Sequence, residues 1–139
     1  MLQIKVVTPE KVILDQQQVE WILVPTDTGI IAVYPEHMDL YSKLIPGELI
    51  VKTAAETHEI VVTDGVIQVS QGTLVSVLVE VAEHIAEIDL EKAEAAKQKA
   101  EEYLETYDKD IDAEQFARVQ ATLIREMAKI AAVRKRKNL

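Results

Sequence analysis

The spacing of apolar residues changes near residue 85. Before that point they recur in twos or in short unbroken runs. The runs are "LQIKVVT" (2–8), "VEWILVP" (19–25), "GIIAV" (29–33), "ELIVK" (48–52), "HEIVVT" (58–63), "GVIQVS" (65–70) and "TLVSVLVE" (73–80). They are rich in Val and Ile, and nearly all are bounded by Gly, Pro, Asp or Thr. Successive side chains of a strand point to opposite faces, so the alternation in "GVIQVS" and "TLVSVLV" predicts half-buried antiparallel strands. "TDGV" (63–66) and "SQGT" (70–73) supply turns between them. Short strands at this density predict an all-β sandwich or barrel over residues 1–84.

From Leu90 the spacing becomes three and four. Leu90, Ala93, Ala96, Ala100, Leu104 and Tyr107 fall on one helix face. Asp89 stands where a carboxylate accepts the free N–H groups of the first turn, and Glu91 and Glu94 suit the positive end of the helix dipole. "YDKDID" (107–112) breaks the pattern, and Asp112 with Gln115 has the spacing of a capping box opening a second helix. The expected stripe of that helix is Phe116, Ala117, Gln120, Leu123, Ile124, Met127 and Ala131. It ends in "RKRK" (134–137), near the negative end of its dipole. Residues 85–139 are therefore predicted to form an antiparallel α-helical hairpin.

That hairpin is weakly clasped. Its first helix faces the seam largely with alanines, and an alanine in place of a packed leucine forgoes roughly 2–5 kcal/mol. High helix propensity keeps each rod intact on its own. A movable element and a close-packed static one both fit this composition.

Charge adds a direction. The net charge of −9 divides into −8 over residues 1–84, −7 over 85–114 and +6 over 115–139. An acidic body with a basic end suits an acidic partner, or simply neutralises its own neighbours. The chain has no cysteine, which excludes thiol chemistry and Cys-based zinc sites. The N-terminus lacks the basic start and apolar run of a signal peptide. No apolar stretch approaches the roughly 20 residues that cross a bilayer. These features predict a soluble protein, or one held at a membrane through partners.

No catalytic constellation is legible. His37, His58 and His84 lack the spacing of three or four that places two imidazoles on one helix face, so no metal site is expected. His58 and His84 read as surface residues, and His37 as a group that holds a turn. Ser42, Ser70 and Ser76 lack a nucleophile elbow, and the four glycines form no phosphate loop. With 4% aromatic residues, neither an aromatic-lined carboxylate cleft nor a base-stacking surface is expected, so nucleic acid is not a predicted partner.

One stretch is punctuated throughout: "VPTDTGIIAVYPEHMDLYSKLIPGEL" (24–49) holds Pro25, Gly29, Pro35, His37, Pro46 and Gly47. With "IKVVTPEKVILD" (4–15), "DGVIQV" (64–69) and "EIDLEKAEAA" (87–96) in order, the whole chain resembles the epsilon subunit of the F-type rotary ATP synthase. It departs from that family's Pro-x-x-x-Gly…Gly-Val-Leu-Pro-Gly-His signature at Ala32, Tyr34 and Glu36.

The resemblance implies a non-catalytic central-stalk rotor subunit that couples proton translocation to ATP synthesis. Its sandwich would contact the gamma subunit and the c-ring, with Pro35, His37, Pro46 and Gly47 shaping a docking surface. Its hairpin would fold back or extend toward the alpha and beta subunits. There Arg118, Arg125, Lys129, Arg134, Lys135, Arg136 and Lys137 would meet an acidic segment of the catalytic beta subunit and inhibit hydrolysis.

Some family members bind ATP as a regulatory ligand through Ile/Leu-Asp-x-x-Arg-Ala. Here Ile88, Asp89 and Ala93 match, and Lys92 replaces the arginine, without its planar fork of donors. Arg118 and Arg125 would complete that site. The implied place is peripheral, on the cytoplasmic face of a bacterial membrane or the stromal face of a thylakoid. The alternative is a stand-alone β-sandwich adaptor that binds an acidic protein through its basic helix.

Overall fold

The computed structural model describes residues 1–106 and 113–137. Contacts divide the chain into two compact units, Met1–Ala86 and Glu87–Leu139. The first unit holds β1 (Leu2–Val7), β2 (Val12–Thr26), β3 (Gly29–Val33), β4 (Leu40–Leu44), β5 (Gly47–Thr53), β6 (Thr57–Val62), β7 (Gly65–Ser70), β8 (Leu74–Val79) and β9 (Ala82–His84). Their hydrogen-bonded order is β1-β8-β7-β4-β2-β5-β6-β9, with β3 on β2 and β1 also paired to β2. The β1–β8 pair is parallel and the others are antiparallel.

The runs expected from the sequence are all strands, and the structure adds β4, β9 and the first half of β2. In β2 the period is interrupted at "DQQQ". Opposite Leu2 and Ile4 the partners step from Val19 to Gln16, one residue too many, and Gln18 has φ +58°. A bulge of this kind bends a strand and raises its twist. The first half of β2 pairs with β1, and the second half pairs with β5 and β3. In β4, "LYSKL" alternates correctly but is hidden among prolines, and β9 is too short to show a period.

Inward positions are β-branched or Leu: Leu2, Val6, Val19, Ile22, Val24, Leu44, Leu49, Val51, Ile60, Val62, Ile67 and Val77 are fully buried. Stiff branched side chains lose little freedom on a pleated surface. Gly65 lets β7 close against β8. A Cβ there would lie 2.1 Å from the Leu78 carbonyl oxygen and 2.6 Å from Val79 Cγ1. His58 and His84 are not surface residues: both are half-buried, edge to face at 6.4 Å. His84 Nε2 lies 3.2 Å from the Ile13 carbonyl, tying β9 to β2.

In the second unit α1 spans Leu90–Thr106 and α2 spans Ala113–Lys137. Asp89 caps α1, its Oδ1 accepting from the N–H of Glu91 at 3.1 Å and of Lys92 at 3.3 Å. Arg134 of α2 donates to Glu94 of α1 at 2.8 Å, so the end of α2 lies beside the start of α1 and the pair is antiparallel. Tyr107, Asp112 and the turn at 107–112 lie outside the described residues.

The stripe expected for α2 is corrected. Ala117, Gln120, Ile124, Met127 and Ala131 are exposed, whereas Glu126, Ile130, Ala132 and Val133 are buried and Phe116, Val119 and Leu123 half-buried. The seam positions 116, 119, 123, 126, 130 and 133 follow the alternating three-four step of two packed helices. The helix carries two apolar stripes, and α1 covers the one that contains a glutamate.

Gly65→Ala is expected to lower the stability of the sandwich by about 3 kcal/mol, the upper range for overpacking. Urea unfolding reads this directly, and a loss under about 1 kcal/mol would refute the close β7–β8 approach.

Candidate functional site

The punctuated stretch forms three turns: those at Gly29 and at Ile45–Gly47 lie at the Thr26 end of β2, and the one at Pro35–His37 lies at the opposite end of β3 and β4. In the first, buried Thr26 donates from Oγ1 to the Gly29 carbonyl at 2.5 Å and accepts from the Thr28 N–H at 3.3 Å. In the second, the His37 N–H donates to the Tyr34 carbonyl at 3.2 Å. Glu36, at φ +67°, follows Pro35, which is the residue order of a type II turn. This turn is held from outside as well. The Glu36 N–H donates to the Gly72 carbonyl at 2.7 Å, and the Gln71 N–H donates to Asp39 Oδ1 at 3.2 Å. His37 Nδ1 sits 2.6 Å from the Met38 carbonyl, so the imidazole holds its own turn. In the third turn, the Ile45 N–H donates to the Pro25 carbonyl at 3.2 Å. A Cβ on Gly47 would come within 3.0 Å of the Pro25 ring.

Pro35, His37, Pro46 and Gly47 are thus half-buried shaping residues. Apart from Tyr34, the exposed groups are ones that the sequence does not single out. Ile30 is 76% exposed, Met38 78%, Tyr41 72% and Tyr34 57%. Large apolar side chains held out on braced turns have the composition of a protein contact, because aromatic residues and Met are enriched in interface cores. Their signal in the sequence is present but indirect: each stands at an outward position of β3 or β4, or in the turn between them.

The basic residues of α2 are arranged differently from one another. Arg118 is exposed and paired with Glu114 at 2.9 Å, an exposed i,i+4 pair worth about 0.3–0.5 kcal/mol. Arg125 Nε and Lys129 Nζ flank buried Glu126 at 3.5 and 3.7 Å. Arg134 pairs with Glu94 at 2.8 Å, and Lys135 is exposed. Arg136 and Lys137 belong to α2, and their side chains lie outside those described.

The expected nucleotide residues do not converge. Ile88, Asp89, Lys92 and Ala93 surround the start of α1, where Asp89 is occupied as a cap and Ala93 faces the seam. Arg134 is the α2 cation anchored there, through Glu94. At about 1.5 Å per residue, Arg125 stands roughly 13 Å and Arg118 about 24 Å further along α2. Among the described residues no group of three His, Asp or Glu is placed to hold a metal ion, and no helix is long and apolar enough to cross a membrane.

Comparison with known proteins places both units. Residues 1–85 match the family described as ATP synthase, Delta/Epsilon chain, beta-sandwich domain, and residues 86–134 match its long alpha-helix domain. A protein named ATP synthase epsilon chain from Nitratidesulfovibrio vulgaris (strain DP4) is 36% identical over 129 residues, covering 93% of this chain and 92% of that one. Its counterpart from Delftia acidovorans is 33% identical over 134 residues, covering 96% and 94%. In the mitochondrial ATP synthase of Euglena gracilis, a structure of OSCP, F1 and c-ring, one chain has the same fold. Its TM-score is 0.79 at 22% identity, over 95% of this chain and 81% of that chain.

Glu36 holds a positive φ of 67°, which costs a non-glycine residue about 1–2 kcal/mol. Glycine adds roughly 0.5–1 kcal/mol of unfolded-chain entropy. Glu36→Gly is therefore expected to stabilise the sandwich by about 0.5–1 kcal/mol. A lowered urea midpoint would contradict the left-handed turn.

Proposed function

The chain belongs to the ATP synthase delta/epsilon chain family, and from that premise we propose that it is a non-catalytic rotor subunit of the central stalk, coupling proton flow to ATP synthesis. The observation that carries this reading is the ordered match of both units, along nearly the whole chain, to proteins named epsilon chain. The braced turns and their exposed Ile30, Tyr34, Met38 and Tyr41 support a docking role for the sandwich. The gamma subunit and the c-ring are the proposed partners. A subunit held this way sits peripherally, on the cytoplasmic face of a bacterial membrane or its stromal equivalent.

The hairpin is the proposed regulatory arm, acting on the alpha and beta subunits. Arg118, Arg134 and Lys135 are exposed, with Arg136 and Lys137 next along the chain. Arg118, Arg125, Lys129 and Arg134 each pair with an acidic residue of the hairpin. Of these pairs Arg134–Glu94 joins the two helices, so contact with an acidic segment of the beta subunit through all seven cations requires that pair to break. ATP is the proposed regulatory ligand at Ile88–Ala93, with Lys92 as its cation and Arg134 nearer than Arg118 or Arg125.

A synthase reconstituted without this chain should lose proton-driven ATP synthesis, and undiminished synthesis would remove the coupling role. A chain lacking residues 115–139 should assemble and raise ATP hydrolysis, because the +6 segment is gone. Unaltered hydrolysis would reject the inhibitory arm. Calorimetric titration of the full chain should give a heat of ATP binding that Lys92→Ala weakens. No heat at millimolar ATP would dismiss the nucleotide.

A further inference from the structure

Three residues in left-handed conformation meet at one end of the sandwich: Glu36 at φ +67°, Gln71 at +57° and Gly72 at +70°. Glu36 lies in the loop 34–39 between β3 and β4, and Gln71 and Gly72 in the turn between β7 and β8. This conformation strains any residue but glycine, and such strain persists only where surrounding contacts over-determine it. Each segment first closes on itself. The His37 N–H donates to the Tyr34 carbonyl at 3.2 Å, and the Thr73 N–H donates to the Ser70 carbonyl at 3.3 Å. Those bonds set the shape of each turn but not where it stands.

Position comes from the contacts between the two segments. The Glu36 N–H donates to the Gly72 carbonyl at 2.7 Å. A Cβ on Gly72 would lie 3.0 Å from Glu36 Cα, so the two backbones are in contact there. One such point is a pivot. The second bond runs from the Gln71 N–H to Asp39 Oδ1 at 3.2 Å and stops rotation about the first. Of the two bonds only this one uses a side chain, and a charged acceptor makes it the stronger kind. The loop so fixed carries Tyr34 and Met38, 57% and 78% exposed, and leads into Tyr41. Tyr41 pairs with Gln68 and Gln68 with Ser76. Leu74, two residues before Ser76, therefore shares their outward face, where it is 38% exposed. The clamp holds the loop's apolar side chains in register with one from the neighbouring hairpin.

We propose that Asp39 is the positioning residue of this docking surface. Through Gln71 it locks the β3–β4 loop onto the β7–β8 turn, and so presents Tyr34, Met38, Tyr41 and Leu74 to the stalk subunits as one preformed patch. A loop left to pivot would be ordered only when the partner binds, at a cost in affinity that prior ordering removes. The inference rests on the docking role proposed above for the exposed side chains, and it adds Leu74 to them.

The test titrates the full chain against a synthase stripped of it, and reads amide exchange at Gln71 in the free chain by nuclear magnetic resonance. Asp39→Ala should weaken rebinding about tenfold, the scale of ordering one or two backbone residues on binding. It should also speed exchange at Gln71. Asp39→Asn, whose amide oxygen still accepts from the Gln71 N–H, should restore both. Met38→Ser and Leu74→Ser should weaken rebinding with Gln71 exchange unchanged. Native affinity in Asp39→Ala, with the two serine variants weakened, would overturn the positioning role alone. Equal weakening by Asp39→Asn would overturn it too, because the partner would then be reading the charge itself. Native affinity in both serine variants would remove the docking role, and the proposal with it.

Discussion

One strand has to belong to both layers of the sandwich. Strand β2 is hydrogen-bonded to β1, β3, β4 and β5, which no straight strand can manage with a two-sided ladder. The bulge at Gln16–Gln18 resolves this by bending β2 between its halves. Everything beyond the bend depends on it. The end of β2 places Pro25 and Thr26, on which the Gly29 turn and the Ile45–Gly47 turn are built. The side chains between β3 and β4 are presented from the opposite end of those two strands.

The two units are held by different physics. In the sandwich, fully buried Val, Ile and Leu meet across two sheet faces, and little apolar surface there is left to chance. Native interiors of this density tolerate little movement. In the hairpin, alanines of α1 face a stripe of α2 that includes a carboxylate.

The basic end shows why charge counting and charge placement differ. Its +6 balance reads as a uniform invitation to an acidic partner. In the folded hairpin, Arg125, Lys129 and Arg134 are already answered by Glu126 and Glu94, and Arg118 by Glu114. The proposed inhibitory surface is therefore partly stored within the hairpin. Likewise Asp89, which matches a nucleotide motif, is occupied in capping α1.

Local chemistry alone determined a good deal. Alternation in twos marked the strands, Asp89 and the alanine spacing marked α1, and the ordered turn residues carried the family resemblance. These are legible because backbone geometry imposes a period of two or 3.6 on whichever residues face the core. Tertiary structure decided the rest. It made β2 a single bent strand, left His58 and His84 half-buried rather than on the surface, and set Glu36 in a left-handed turn braced by Gly72. It also chose between the two apolar stripes of α2, burying Glu126 and leaving Ile124 and Met127 in solvent. Periodicity says that a face will be buried. Which of two candidate faces is covered depends on the shape and charge of the element packed against it, and that information lies in another part of the chain.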